Sequence, residues 1–252
     1  MFRHQGKKRT LQHNLRIATV LSFVAGLVNV TGYLAFTQLT TNVTGHFALF
    51  ITDVYRFDFW KGTIYFLYFF AFLLGSFSSG FLIEKFRENK RLNVFAIPIS
   101  IEALILFAIG LISFSTAVHY PNVIVCTLLF AMGLQNAFVT KISNAVVRTT
   151  HLTGLFTDLG IDISQLFFVK HREQRHLLIK NIKLRLNIIL SFFAGGVIAG
   201  ILYSSIGLKL YTLMIGALVL VISLFYDDVH LKVIKAKRSH RHKRKSSTLH
   251  KL

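Results

Sequence analysis

Apolar residues in this chain are gathered into long continuous blocks, separated by shorter polar or basic stretches. A helix needs about 20 apolar residues to cross ~30 Å of hydrocarbon, with a lower limit of about 17. The blocks that meet this requirement cover residues 17–36, 63–83, 94–114, 122–139, 187–207 and 210–226. They do not alternate with period two, as the strands of a membrane barrel do. The pattern predicts an all-α, polytopic membrane helix bundle with six transmembrane helices.

Composition agrees with this prediction and limits the kinds of functional site that the chain can contain. Charged residues make up only 15% of the chain, against about 25% in soluble domains. Cys126 is the only cysteine and lies inside an apolar block, so a disulfide framework within the chain is excluded. The sequence has no HExxH, GxSxG, paired CxxC or phosphate-binding GK[ST] signature. We therefore expect no catalytic residues, no metal and no cofactor.

Positive charge indicates how the spans are oriented. Lysine and arginine are concentrated before the first block, in the second-to-third and fourth-to-fifth connections, and in the tail. Only Arg56, Lys61 and Lys209 lie in other connections. By the positive-inside rule, both termini and the even-numbered connections are cytoplasmic.

One polar phrase occurs twice. Residues 40–47 read TTNVTGHF and residues 149–156 read TTHLTGLF; GLVN (26–29) precedes the first and GLQN (133–136) the second. Glycines five apart then recur in the second and fifth blocks, at 75–80 and 195–200. The shared order predicts two three-span repeats, and a unit with an odd number of spans inserts its second copy upside down. The predicted divisions are a basic N-terminus (1–16), two repeats (17–120 and 121–228) and a basic, disordered tail (229–252), with an insertion near 170–180.

Polar residues at membrane depth are costly and therefore suggest functional sites. The substrate-binding candidates are Thr44, Gly45, Thr153, Gly154, Asn29 and Asn136. The candidates for ion or proton coupling are Glu102, Asp53, Asp158 and Asp162. Histidine as a residue type can change charge near neutral pH, but His46 and His151 do not occupy equivalent positions in the repeat, which weakens a role in proton coupling.

Two interpretations of the duplicated phrase remain open. Each phrase could form a re-entrant segment, bringing its Thr-Gly pair to a common site at the bilayer midplane, where helix N-termini meet an anion and unwound carbonyls a cation. Alternatively, each could begin an interfacial amphipathic helix, with threonine N-caps and aspartates facing water.

The motifs GLVNVTGYLAF…TNVTGHFALF and AMGLQNAFV…VRTTHLTGLFTDLG resemble the YoaK-like bacterial inner-membrane proteins, a family of unknown function. The resemblance covers about residues 15–226 and implies a six-span protein of the bacterial plasma membrane. It supplies no catalytic residue. It also implies an acidic residue where this chain has Asn29, and Thr-Gly-Asn where it has Thr44-Gly45-His46.

Two functions follow as hypotheses. The first is a secondary transporter or permease of a small solute or ion. The second is a non-transporting scaffold or anchor that holds anionic lipid headgroups or a partner through the basic tail (232–252), which contains no acidic residue. Besides the bilayer, the partners considered are a small solute and a second copy of the chain; nucleic acid is disfavoured because the tail lacks aromatic residues for base stacking.

Overall fold

The computed structural model describes residues 11–88 and 93–226. The helices are α1 (Leu11–Phe36), α2 (Val43–Tyr55), α3 (Phe59–Lys85), α4 (Ala96–Leu111), α5 (Phe114–His119), α6 (Pro121–Ser143), α7 (Leu152–Leu166), α8 (Arg172–Gly200) and α9 (212–226). A π-helical turn, Ile201–Ser205, continues α8, and a 3₁₀ turn, Lys209–Tyr211, leads into α9. Most of the predicted basic N-terminus and the tail predicted for 229–252 lie outside the described residues.

Five helical stretches are long and apolar enough to cross a membrane. They are Gln12–Phe36, Phe59–Lys85, Pro121–Ser143, Arg172–Ser205 and Lys209–Tyr226. Among the described residues every regular element is helical. The prediction of an all-α membrane helix bundle is therefore confirmed.

The third predicted span is shorter than its apolar block. Helix α4 has 16 residues, which corresponds to about 24 Å. It ends at Leu111 because Ile112 is extended and Ser113 caps the separate helix α5, its Oγ accepting a hydrogen bond from the Thr116 N–H at 3.2 Å. Pro98 lies in the first turn of α4, where its missing N–H interrupts no helical hydrogen bond. The apolar block at 94–114 thus contains one short helix and the start of another.

Helix α1 lies parallel to α8 at a crossing built on glycine. A methyl group at Gly26 would overlap the main-chain carbonyl of Phe192, and one at Gly195 would overlap the carbonyl of Phe23. Nearer the start of α1, the Asn187 Nδ2 donates to the Leu15 carbonyl at 3.3 Å. The two backbones therefore approach more closely than any side chain larger than hydrogen permits.

Helices α3 and α6 repeat this arrangement. A methyl group at Gly75 would overlap the Phe130 carbonyl, and one at Gly133 would overlap the Phe72 carbonyl. The Ser76 hydroxyl also donates to the Gly133 carbonyl at 3.2 Å. The two crossings thus use glycines from matching places of the two predicted repeats.

Helices α1 and α6 form the centre of the bundle. In each, 61% of the most apolar window is buried, against 22% in α3 and 28% in α8. Helix α4 packs on α6, whereas α9 packs on α1, where Gly216 faces Leu27 and Val24. The outer helices α3 and α8 leave most of their apolar surface exposed, as expected for helices that face lipid.

Candidate functional site

The first polar phrase folds back along α1. Helix α1 ends at Phe36, and Thr37 then adopts a left-handed conformation (φ 55°) that reverses the chain. The Thr40 hydroxyl donates to the Val28 carbonyl at 3.1 Å, and the Thr41 hydroxyl donates to Asn29 Oδ1 at 2.9 Å. Asn29 lies about two helical turns, or ~10 Å, before the end of α1. The phrase therefore returns deep into the bundle before α2 begins.

The second phrase folds back along α6 in the same way. The chain reverses at Asn144 and Ala145, both left-handed. The Thr150 hydroxyl then donates to Asn136 Oδ1 at 2.9 Å, and the Thr149 Oγ1 accepts from Gln135 Nε2 at 3.0 Å. The two phrases thus make corresponding contacts with corresponding positions of α1 and α6.

These contacts assign a local role to Asn29 and Asn136. Each accepts, through its amide oxygen, a hydrogen bond from the second threonine of a phrase, and each such bond contributes about 0.5–1.5 kcal/mol. Both side chains are half-buried. They hold the returning segments in place, and their amide oxygens are already engaged.

The Thr-Gly pairs form the first turns of α2 and α7. Asn42 is the N-cap of α2, and its side chain accepts from the Gly45 N–H at 3.1 Å. His151 stands at the corresponding position before α7 but makes no side-chain cap hydrogen bond; its imidazole lies against Gly154, where a methyl group would overlap the ring. The interpretation with threonine N-caps is therefore wrong for these helices. Thr44 and Thr153, from the two pairs, are exposed.

Helix α2 returns antiparallel to α3, and the cleft between them is filled. The His46 Nε2 lies 2.7 Å from the Leu39 carbonyl, and its imidazole is only 3% exposed. The ring stacks on Tyr65 with centroids 6.1 Å apart and meets the edge of Tyr68 at 5.0 Å. Tyr68 in turn donates to Asn122 Oδ1 at 2.6 Å. We call His46, Tyr65 and Tyr68 the His46 cluster.

The corresponding cleft between α7 and α8 is open. It forms a pocket of about 410 Å³, which we call the Arg185 pocket. Arg185 forms ion pairs with Asp158, at 3.4 Å, and with Asp162, which is 9% exposed at its side chain. The other lining residues are Ala145, Val146, Arg148, His151, Gly154, Leu155, Asn181 and Leu184. Two of the sequence candidates, Gly154 and Asp158, therefore line a polar cavity.

The two clefts occupy matching places in the predicted repeats. Aligning the phrases pairs His46 with Leu155, and aligning Gly75 with Gly195 pairs Tyr65 with Arg185. His46 and Tyr65 stack on each other, whereas Leu155 and Arg185 border the pocket. Three aromatic side chains therefore fill one cleft, while its counterpart is an open polar cavity.

Known proteins resemble this chain over most of its length. The family described as "Protein of unknown function (DUF1275)" matches residues 17–226. The chain belongs to this family. A relative in Bacillus subtilis (strain 168), named "UPF0700 transmembrane protein YoaK", is 25% identical over 192 residues, which cover 73% of this chain and 82% of that protein. No solved structure matches the chain. The resemblance seen in the Thr-Gly motifs is thus confirmed, as is the membrane class.

The remaining acidic candidates of this DUF1275 chain lie apart from the pocket. Glu102 lies on the buried face of α4 between Ile99 and Leu106; it is fully buried, and neither carboxyl oxygen has a hydrogen-bond partner. Asp53 is half-buried near Gly62 on α3, and its Oδ2 has no hydrogen-bond partner. Neither carboxylate lines the Arg185 pocket.

Several residues that build the site were not among the sequence candidates. Thr41 and Thr150 are identical positions of the repeated phrase, so the repeat gave some indication of their pairing with Asn29 and Asn136. Arg185, at the polar edge of the fifth apolar block, carried a weaker signal. The stacking of His46 on Tyr65 had none, because it depends on the antiparallel packing of α2 on α3.

Proposed function

We propose that this protein is a secondary transporter of a small solute or ion, built from six spans in two inverted three-span repeats. In this arrangement α1, α3 and α4 are the spans of the first repeat, and α6, α8 and α9 those of the second. Helix α4 has only 16 residues and crosses the bilayer together with the turns at its ends. Function resides in transport rather than in catalysis.

The matching contacts support the inverted repeat. The first span of each repeat crosses the second span of the other at glycines, Gly26 with Gly195 and Gly133 with Gly75. The third spans follow the same rule, since α4 packs on α6 and α9 on α1. In each repeat the returning phrase is held by an asparagine of its own first span. Such regular packing of the helices of one repeat on those of the other is expected when a duplicated unit is inserted in opposite orientations.

Orientation follows from charge. With both termini cytoplasmic, the Arg185 pocket opens towards the cytoplasm and the His46 cluster lies towards the outside. The relative in Bacillus subtilis supports the bacterial plasma membrane as the location. A C-terminal fusion tests this orientation: green fluorescent protein is expected to fluoresce and alkaline phosphatase to be inactive, and the opposite pair of results would reverse the topology.

The observation that carries the proposal is the difference between the two equivalent clefts. In one the His46 cluster excludes solute, and in the other a polar pocket of about 410 Å³ is accessible. Alternating access requires two related pathways, of which one is closed while the other is open. The chain in this conformation corresponds to the inward-facing state.

Glu102 fits the role of coupling residue. An ionised carboxylate that is fully buried without a partner would be strongly unfavourable, so the side chain is neutral in this state. A second conformation that exposes Glu102 to water would let it release a proton. Asp158 and Asp162 are less suited to this role because Arg185 already neutralises them.

Solute uptake into sealed proteoliposomes tests the transport function, using a panel of small anions, cations and neutral solutes. Gly154→Leu would fill the pocket beside His151 and should abolish the wild-type flux, while Gly45→Leu should impair it by disturbing the start of α2. The control is Gly160→Leu on the same helix α7, since a methyl group added at Gly160 would have no atom within 4 Å. Wild-type flux in well-folded Gly154→Leu, or no flux of any solute above empty liposomes, would contradict the proposal.

The scaffold hypothesis rests on residues 232–252, which lie outside the described residues. It predicts that deletion of this tail abolishes function while substitutions in the Thr-Gly pairs have no effect. Anionic headgroups remain the proposed ligand of the tail. No contact among the described residues favours scaffold over transport.

A further inference from the structure

The residues that line the Arg185 pocket include two arginines, Arg148 and Arg185, and one carboxylate, Asp158. Arg185 is engaged by two carboxylates, Asp158 and Asp162. Arg148 lines the same pocket and is exposed, and it has no ion pair or hydrogen bond to any described residue. The pocket therefore presents a guanidinium group that has no counter-ion in the described part of the chain.

A second feature of the pocket also favours negative charge. Gly154, in the first turn of α7, lines it, and His151 gives this helix no side-chain cap. The corresponding first turn of α2 is capped, because the Asn42 side chain accepts from the Gly45 N–H. Uncapped N–H groups at the start of a helix favour an anion, so this end of α7 adds to the effect of Arg148.

Cationic ligands are disfavoured by the same contacts. Asp158 is the only carboxylate among the lining residues, and Arg185 already pairs with it. A bound cation would have to displace this guanidinium group while lying close to Arg148. The volume of about 410 Å³ falls in the range of small-molecule sites, roughly 300–1,000 Å³.

We infer that the Arg185 pocket binds a small oxyanion, a carboxylate, phosphate or sulfate group, through charged hydrogen bonds from Arg148. The Gly154 N–H in the first turn of α7 supplies a further donor, whereas the Leu155 N–H already bonds the His151 carbonyl at 3.1 Å. Asp158 and Asp162 position Arg185 and offset its positive charge, so that the oxyanion binds weakly enough to be released. This inference rests on the proposed function, since it names the ligand class of the proposed transport site.

Binding to the purified full-length protein in detergent tests the inference without requiring transport. Titration calorimetry with sodium phosphate, sulfate and acetate, at constant ionic strength, should give saturable binding, whereas sodium chloride and choline chloride should not. Arg148→Gln should weaken this binding at least about tenfold, as expected for the loss of a charged hydrogen bond. Arg148→Lys should retain part of the affinity, because lysine keeps the charge but loses bidentate geometry.

The matched control is Arg172→Gln, an exposed arginine of α8 that does not line this pocket. It should leave the affinity unchanged, and circular dichroism should show that both variants are folded. Equal losses in the two variants, or no binding of any oxyanion, would overturn the inference. Repeating the titration in nanodiscs, with phosphatidylglycerol or with phosphatidylcholine alone, identifies the source of the oxyanion. If phosphatidylglycerol competes with the added anion, the natural ligand is a lipid phosphate; if it does not compete, the ligand is a free anion.

The two proposals can fail separately. Oxyanion binding that depends on Arg148, without flux of any solute in liposomes, would support the site and overturn the transport function. Flux of a cation or neutral solute that is unaffected by Arg148→Gln would support transport and overturn the oxyanion site.

Discussion

Replacing Gly26 with alanine should destabilise the bundle at the crossing of α1 and α8. The new methyl group would lie 2.8 Å from the Phe192 carbonyl carbon and closer still to its oxygen, whereas carbon atoms normally rest about 3.5–4.0 Å apart. The obstacle is main chain, so no rotamer change can relieve it, and the helices must separate by roughly 1 Å. Overpacking of this kind costs about 1–3 kcal/mol, and the better helix propensity of alanine returns up to ~1 kcal/mol. We expect a net loss of about 1 kcal/mol.

The assay is equilibrium unfolding of the purified protein in mixed micelles, with Gly195→Ala, Gly75→Ala and Gly133→Ala measured beside it. Gly200→Ala is the matched control on α8, because its added methyl group would have no atom within 4 Å; it should be neutral or stabilising by up to ~1 kcal/mol. If Gly26→Ala proves as stable as Gly200→Ala, the backbones do not approach as described, and the reasoning from close contact fails.

Three further predictions concern the polar groups. Asn136→Ala removes the acceptor of the Thr150 hydroxyl and should cost about 1 kcal/mol in the same unfolding assay; an unchanged midpoint would mean that this bond does not hold the phrase. Ile64 lies directly before Tyr65 on α3 and is half-buried. In intact cells and a Cys126→Ala background, His46→Ala should raise several-fold the rate at which an impermeant maleimide labels Ile64→Cys, and equal rates would argue against a closing role for the cluster. Glu102→Gln should keep the unfolding free energy within about 0.5 kcal/mol, because an amide resembles the neutral carboxyl, but should abolish pH-driven flux in proteoliposomes; full flux would exclude Glu102 as the coupling residue.

The sequence predicted the helices well where burial in lipid alone determines them. The blocks at 63–83 and 122–139 lie inside α3 and α6, whose ends extend into flanking polar residues such as Lys85 and Ser143. The block at 94–114 was less informative, because hydropathy does not register the cap at Ser113 that separates α4 from α5. Apolar length therefore locates a helix, whereas local hydrogen bonds determine where it ends.

The candidate site was only partly predictable. The repeated Thr-Gly phrase drew attention to Asn29 and Asn136, and the structure shows their amide oxygens accepting hydrogen bonds from Thr41 and Thr150. The spacing of residues along the chain could not predict the Arg185 pocket, since Arg148 lies in the connection between α6 and α7 and Arg185 lies in α8, and the two meet only when α7 folds back on α8. Pairwise side-chain geometry of this kind depends on how helices pack, which no local pattern encodes.

The partner exchange at the glycine crossings has a consequence for biosynthesis. The glycine surface of α1 matches α8, whose residues leave the ribosome long after α1 has been inserted. At about 5–20 residues per second, α1 waits on the order of 10–30 s with its close-packing surface against lipid. Neither half of the chain can complete its own packing during translation, so we expect the two halves, expressed as separate polypeptides, to be degraded singly and to accumulate when co-expressed.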